Sequence, residues 1–190
     1  MRPLLAALVM CLAPIVAMAQ TETIQPAKAE KTTEIRTVPL AAGSSLKVKN
    51  VNGFIRVEAW DREEVQFTGE FKPSSQDEQV KVVIEPGQGS LEIRGEYPRH
   101  DGWGSYRGPQ CQMTLKVPRR ITPTIETVNG EITISGTQGK AILSTVNGGI
   151  TFSAKGAEQV EVKKHRVTAV FPGSEQAIDL GTVNGAITLD

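Results

Sequence analysis

The tetrapeptide Thr-Val-Asn-Gly occurs three times in the last third of the chain, at residues 127–130, 145–148 and 182–185, and each copy is followed one residue later by Ile-Thr. A looser copy, Asn50-Val51-Asn52-Gly53, lies far upstream. Asn129 and Asn147 are 18 residues apart, and Asn147 and Asn184 are 37 apart, close to two such periods. Identical residues at one phase of a repeat are what stacked units require, because each unit meets only its neighbours. The spacing therefore predicts an all-β fold, a single-stranded β-solenoid. Val128, Val146 and Val183 would come into register, as would Ile132, Ile150 and Ile187. The side chains of Asn52, Asn129, Asn147 and Asn184 would form a ladder along the turns. Gly53, Gly130, Gly148 and Gly185 would supply positive φ after each Asn. The interval between the second and third strong copies would hold a degenerate unit. Its turn would lie near Lys163-Lys164-His165-Arg166, and Val167 to Phe171 would be its strand.

Asn-Gly is also a strong signal for a two-residue hairpin turn. On that reading Thr127 pairs with Ile132 and Ile125 with Ile134, and the fold is an antiparallel β-sandwich of Asn-Gly hairpins. Patterning does not separate the two geometries. Three identical turns favour stacking, since independent hairpins have no reason to share the preceding Thr-Val.

Period-two alternation continues over most of the chain. Leu46 and Val48, Ile55 and Val57, Val65, Phe67 and Phe71, Val80, Val82 and Ile84, and Leu91 and Ile93 all fall in phase. Gly, Pro and Asn-Gly punctuate these runs, as expected of short strands. Residues 1–19 read as a secretory signal: Arg2, an apolar stretch from Leu4 to Val16, then Ala17-Met18-Ala19 as the cleavage site. That predicts an exported protein, periplasmic or at the cell surface. Cys11 falls inside the signal and follows Met10, which is too bulky for a lipoprotein acceptor site. Residues 20–34 are polar and aperiodic and read as a flexible leader, with the β domain spanning 35–190.

Formal charge is zero, with 21 basic and 21 acidic residues, so no bulk field favours nucleic acid or an anionic membrane. No apolar run after Val16 reaches spanning length, so no integral membrane segment is expected in the exported chain. Cys111 lies on the apolar face of an alternating run with Met113, Leu115 and Val117, and reads as a small buried hydrophobe. His100 and His165 lack ligand-spaced neighbours, so no metal site is expected. No phosphate loop, nucleophile elbow or calcium loop is present, so neither catalytic residues nor a cofactor is expected. Residues 96–110 are rich in Gly and break the alternation. Tyr97, Trp103, Tyr106 and Arg107 make this stretch a candidate binding loop. The basic clusters at 163–166 and 119–120 read as solvated turns.

Several of these segments together resemble a family of exported bacterial adhesin-like proteins, first defined as a domain of unknown function. The likeness rests on Asn50-Val51-Asn52-Gly53-Phe54-Ile55-Arg56-Val57 leading into Ala59-Trp60-Asp61, on Leu115-Lys116-Val117-Pro118, and on the recurring Val-Asn-Gly-x-Ile turns. It covers about residues 35–190 and implies a right-handed β-helix or β-roll. The function it suggests is non-enzymatic, a binding or scaffolding module of the bacterial cell envelope. The partner would be an envelope protein or glycan, or a second copy at the open C-terminal edge. Two alternatives stand beside it: a periplasmic sensor docking on a membrane signalling partner, and an enzyme acting on envelope polysaccharide.

Overall fold

The structure is a computed structural model and describes residues 20–26, 31–74, 79–99, 108–138, 140–153, 159–163, 166–170 and 177–189. The predicted signal segment, Cys11, His100, Trp103, Tyr106, Arg107 and His165 lie outside these residues. The described residues form sixteen strands. In chain order they are β1 (Glu22–Ile24), β2 (Thr32–Pro39), β3 (Ser45–Lys49), β4 (Ile55–Trp60), β5 (Glu64–Lys72), β6 (Lys81–Gly87), β7 (Ser90–Glu96) and β8 (Gln110–Pro118). They continue with β9 (Thr122–Asn129), β10 (Ile132–Ser135), β11 (Ile142–Asn147), β12 (Ile150–Phe152), β13 (Gln159–Lys163), β14 (Arg166–Val170), β15 (Ala177–Asn184) and β16 (Ile187–Leu189).

Alternation places each strand with one face inward. In β8, Cys111, Met113, Leu115 and Val117 are fully buried, and in β5 the same holds for Val65 and Phe67. Two sheets pack these faces together. The larger has nine strands in the order β1-β6-β7-β3-β9-β11-β15-β14-β13, and the smaller has seven in the order β16-β12-β10-β4-β8-β5-β2. Four consecutive strand pairs, β3 with β4, β9 with β10, β11 with β12 and β15 with β16, carry the Asn-Gly units. Each unit runs along the larger sheet, turns at Asn-Gly and returns along the smaller one. Successive units pair in parallel, Thr127 with Thr145 with Thr182 in the larger sheet and Ile55 with Ile132 with Ile150 with Ile187 in the smaller.

This is a two-layer sandwich of mixed sheets, and the expected β-solenoid is corrected by the flanks. The smaller sheet is extended by β5 antiparallel to β8 and β2 antiparallel to β5. The larger is extended by β6 antiparallel to β7 and β1 antiparallel to β6. A coil that wound on through the chain would add only parallel strands. Here parallel pairing runs only from β7 to β15 in the larger sheet and from β8 to the edge strand β16 in the smaller. The expected degenerate unit is also replaced. β13 and β14 form an antiparallel hairpin, and both belong to the larger sheet. The sandwich alternative holds at the level of layers, but the Asn-Gly turns cross between sheets and do not close hairpins within one. Within 20–34, β1 pairs Glu22 with Ile84, and Ile24 is buried.

Candidate binding edge

The Asn-Gly turns lie in one row where the chain passes between sheets. Asn129 Nδ2 donates to Asn52 Oδ1, Asn147 Nδ2 to Asn129 Oδ1, and Asn184 Nδ2 to Asn147 Oδ1, each at 2.9 Å. The amides thus point one way along the row. Main-chain bonds run beside them: Asn129 N donates to Val51 O at 2.7 Å and Gly53 N to Asn129 O at 3.0 Å.

The glycines are required by crowding rather than by dihedral. Of the four, only Gly53 has a positive φ, 129°. At Gly130 an added Cβ would lie 2.0 Å from Gly53 O, at Gly148 2.0 Å from Gly130 O, and at Gly185 1.8 Å from Gly148 O. The expectation of positive φ at Gly130, Gly148 and Gly185 is therefore replaced by a close approach of stacked backbones.

Under the turns sit buried hydroxyls. Thr145 Oγ1 donates to Gly130 O at 3.1 Å and Thr182 Oγ1 to Gly148 O at 3.0 Å. In the first unit Asn50 takes the threonine position. Its Nδ2 donates to Cys111 O at 2.8 Å and to Gly53 O at 3.2 Å. Gly53 O is the acceptor that Thr127 would use by analogy, and buried Thr127 Oγ1 has no partner among the described residues. The sequence marked these threonines and Asn50 as parts of the repeat but gave their side chains no role. Their signal is the fixed offset, two residues before each ladder asparagine.

Tyr97, expected in a binding loop, instead seals this corner. Its hydroxyl lies 2.5 Å from Asn50 Oδ1 and 3.0 Å from Asn52 O, and accepts from Asn52 N at 3.2 Å. Burial pushes its pKa well above the ordinary tyrosine value, against the opposing pull of the Asn52 backbone bond. Burial likewise pushes the Cys111 thiol up to about 12, leaving it protonated and inert at neutral pH.

The solvent side of the row is apolar. Val128, Val146 and Val183 are 37%, 39% and 59% exposed and stand in one line beside the amides. A shallow trough of about 380 Å³ adjoins the Val183 end, lined in part by Ile142, Ser144, Asp179, Gly181 and Val183. Large apolar side chains held in line at a surface are a feature of interaction sites. Among the described residues no cluster of three or more His, Cys, Asp or Glu could hold a metal ion. Among them, too, no helix is long and apolar enough to cross a membrane.

No protein-family model matches the sequence, and no curated protein matches it. Similar solved structures do exist. A "putative cell adhesion protein" from Clostridium sporogenes ATCC 15579 superposes with a TM-score of 0.52 at 10% identity, covering 84% of this chain and 99% of that one. The likeness is one of fold. A "putative lipid binding protein" from Parabacteroides distasonis ATCC 8503 gives a TM-score of 0.32 at 14% identity, covering 64% of this chain and 58% of that one.

Proposed function

We propose that this protein is an exported, non-enzymatic, adhesin-like binding module of the bacterial cell envelope, and that it engages its partner along the repeat-turn edge. The observation that carries the reading is the row of Val128, Val146 and Val183, exposed beside the Asn52–Asn184 amide ladder. Exposed valines in line lose little freedom on binding, because β-branched side chains are already stiff. The backbone beneath them is locked by the ladder, so the surface is preorganised. Amide groups beside an apolar strip suit a partner that offers both hydroxyl or peptide groups and carbon surface, which an envelope protein or glycan does. The fold shared with a structure named for cell adhesion supports the same reading. Export rests on Arg2, the apolar stretch to Val16 and the Ala17-Met18-Ala19 site.

The test is retention of envelope components on immobilised residues 20–190, at low and high salt. The variant Val128→Ser/Val146→Ser/Val183→Ser is run alongside. Salt-resistant retention that the triple variant loses supports the reading. Retention that survives the triple variant, or that vanishes in high salt, assigns binding to another surface or to the basic clusters.

A further inference from the structure

Among the described residues, β1 and β13 end the larger sheet, and β16 and β2 end the smaller. β2 is the longest of these end strands, with eight residues, and it pairs with β5 alone. Leu40 N donates to Glu63 O just beyond the end of that pairing. Backbone alternation therefore turns the main-chain groups of Glu34, Arg36 and Val38 toward β5 and those of Thr33, Ile35 and Thr37 to the open side. The side chains of the last three are exposed on the outer face of the sheet. Ile35 is 55% exposed, and among the described residues it is the one large apolar side chain so placed outside the valine row.

The other face of β2 carries charge. Arg36 Nε donates to Glu22 Oε1 at 2.5 Å, and Arg36 Nη1 donates to Glu34 Oε2 at 3.2 Å and to Ile35 O at 2.8 Å. Inward-pointing charges on an edge strand work against indiscriminate pairing. Here they flank Ile35 with opposite signs, so the strand is complementary to its own reverse. The layers also end flush on this side. The turn sets β3 opposite β4, and counting outward from there sets β7 opposite β8, β6 opposite β5 and β1 opposite β2. Neither sheet overhangs β2.

We infer that β2 pairs antiparallel with β2 of a second copy, about a two-fold axis perpendicular to the sheet beside Ile35. The smaller sheets of the two copies then become one. Ile35 meets the partner's Ile35 on the outer face, and Thr33 meets the partner's Thr37. On the inner face Glu34 meets the partner's Arg36. Ile35 O exchanges its bond from Arg36 for one from the partner's Ile35 N, and the guanidinium turns to the partner's Glu34. About six main-chain hydrogen bonds close in this register. Charge selects it over its neighbours. Setting Thr33 against the partner's Ile35 would place Glu34 against the partner's Glu34. Setting Ile35 against the partner's Thr37 would place Arg36 against the partner's Arg36. Like charges directly opposite are destabilising, so these pairs fix register more than they add affinity. A foreign strand has no reason to carry the matching charges, whereas a second copy carries them necessarily. The inference stands apart from the valine row. The two-fold reverses strand direction, so the repeat-turn edges of the two copies face opposite ways.

The experiment uses the chain from Gln20, which holds every described strand. Sedimentation equilibrium at about 100 µM should return twice the monomer mass. Ile35→Lys alters an exposed side chain, so it should keep the native circular dichroism and return the monomer. Glu34→Arg and Arg36→Glu should each be monomeric alone, because each sets like charges opposite, and should form a mixed dimer when combined. Ile35→Cys should give a covalent dimer under mild oxidation, whereas Thr33→Cys, with its two copies about 14 Å apart, should not. Buried Cys111 does not compete. A monomeric parent chain would overturn the inference, as would a dimer that survives Ile35→Lys. Equal cross-linking of the two cysteine variants would overturn it too, and so would natively folded charge variants that fail to combine.

Discussion

Gly148→Ala isolates the reason for the repeated glycine. The new methyl carbon would stand 2.0 Å from Gly130 O and 2.6 Å from its carbonyl carbon, both backbone atoms. Ordinary carbon–oxygen contact requires more than an ångström of added separation, so the two turns must part. Three hydrogen bonds span that contact and stretch with it: Asn147 Nδ2 to Asn129 Oδ1, Thr145 Oγ1 to Gly130 O, and Ile132 N to Gly149 O. At about 1 kcal/mol each, the loss is about 3 kcal/mol, with more if buried Thr145 is left unpaired. For a domain of this size that is a fall of roughly 6–12 °C in Tm. Gly149→Ala is the matched control, because its Cβ would meet Ala186 O at 3.4 Å, an ordinary contact. It should lie within about 0.5 kcal/mol of the parent. Urea unfolding of the three proteins, followed by far-ultraviolet circular dichroism, gives both differences. Equal stabilities for the two variants would refute the stacked-backbone argument.

The remaining expectations probe the same corner. Thr127→Val removes a buried hydroxyl without a partner and should be neutral or stabilising, whereas Thr145→Val should cost about 1–2 kcal/mol, both read by urea unfolding. The amide row has a direction, so Asn52→Asp keeps the oxygen that accepts from Asn129 and gives up only the long 3.5 Å bond from Asn52 Nδ2 to Pro109 O, and should cost less than about 1 kcal/mol. Asn147→Asp loses its donation to Asn129 and should cost about 1–2 kcal/mol by the same assay. Cys111 binds its proton more tightly folded than unfolded, so its contribution is intact below the ordinary value of 9.0 and is lost as pH rises toward about 12. About 1.4 kcal/mol should be gone by pH 10, and Cys111→Val should flatten that part of a Tm-against-pH profile. Tyr97 acts with the same sign above its ordinary value of 10.0, so Tyr97→Phe should flatten the profile further along.

Strand identity was readable because alternation reports burial directly: Cys111, Met113, Leu115 and Val117 all face inward. The register between units was readable because identical residues recur at one phase. Sheet membership was not, since alternation fixes a face but not the neighbour that pairs with it. The flanking strands therefore went unplaced, and a mixed sandwich looked like a continuous coil. The stretch from 153 to 177 misled for the same reason. A spacing of nearly two periods fits a missing unit and a hairpin equally well. Tyr97 was assigned to a loop by its Gly-rich surroundings, yet it continues the inward phase of Leu91 and Ile93, and the structure packs it against the core. The glycines were recognised as necessary for the wrong reason, because sequence shows a missing side chain but not the carbonyl 2.0 Å away.

One geometry underlies the binding edge: the repeat units stack in parallel register and present Val128, Val146 and Val183 on a common edge. Nuclear Overhauser contacts in a labelled sample of residues 20–190 test it directly. The structure predicts inter-strand contacts joining Thr127, Thr145 and Thr182 in one sheet, and Ile132, Ile150 and Ile187 in the other. Cross-strand contacts between Thr127 and Ile132, and between Ile125 and Ile134, would mean that each Asn-Gly closes its own hairpin, and would contradict both the ladder and the edge built on it.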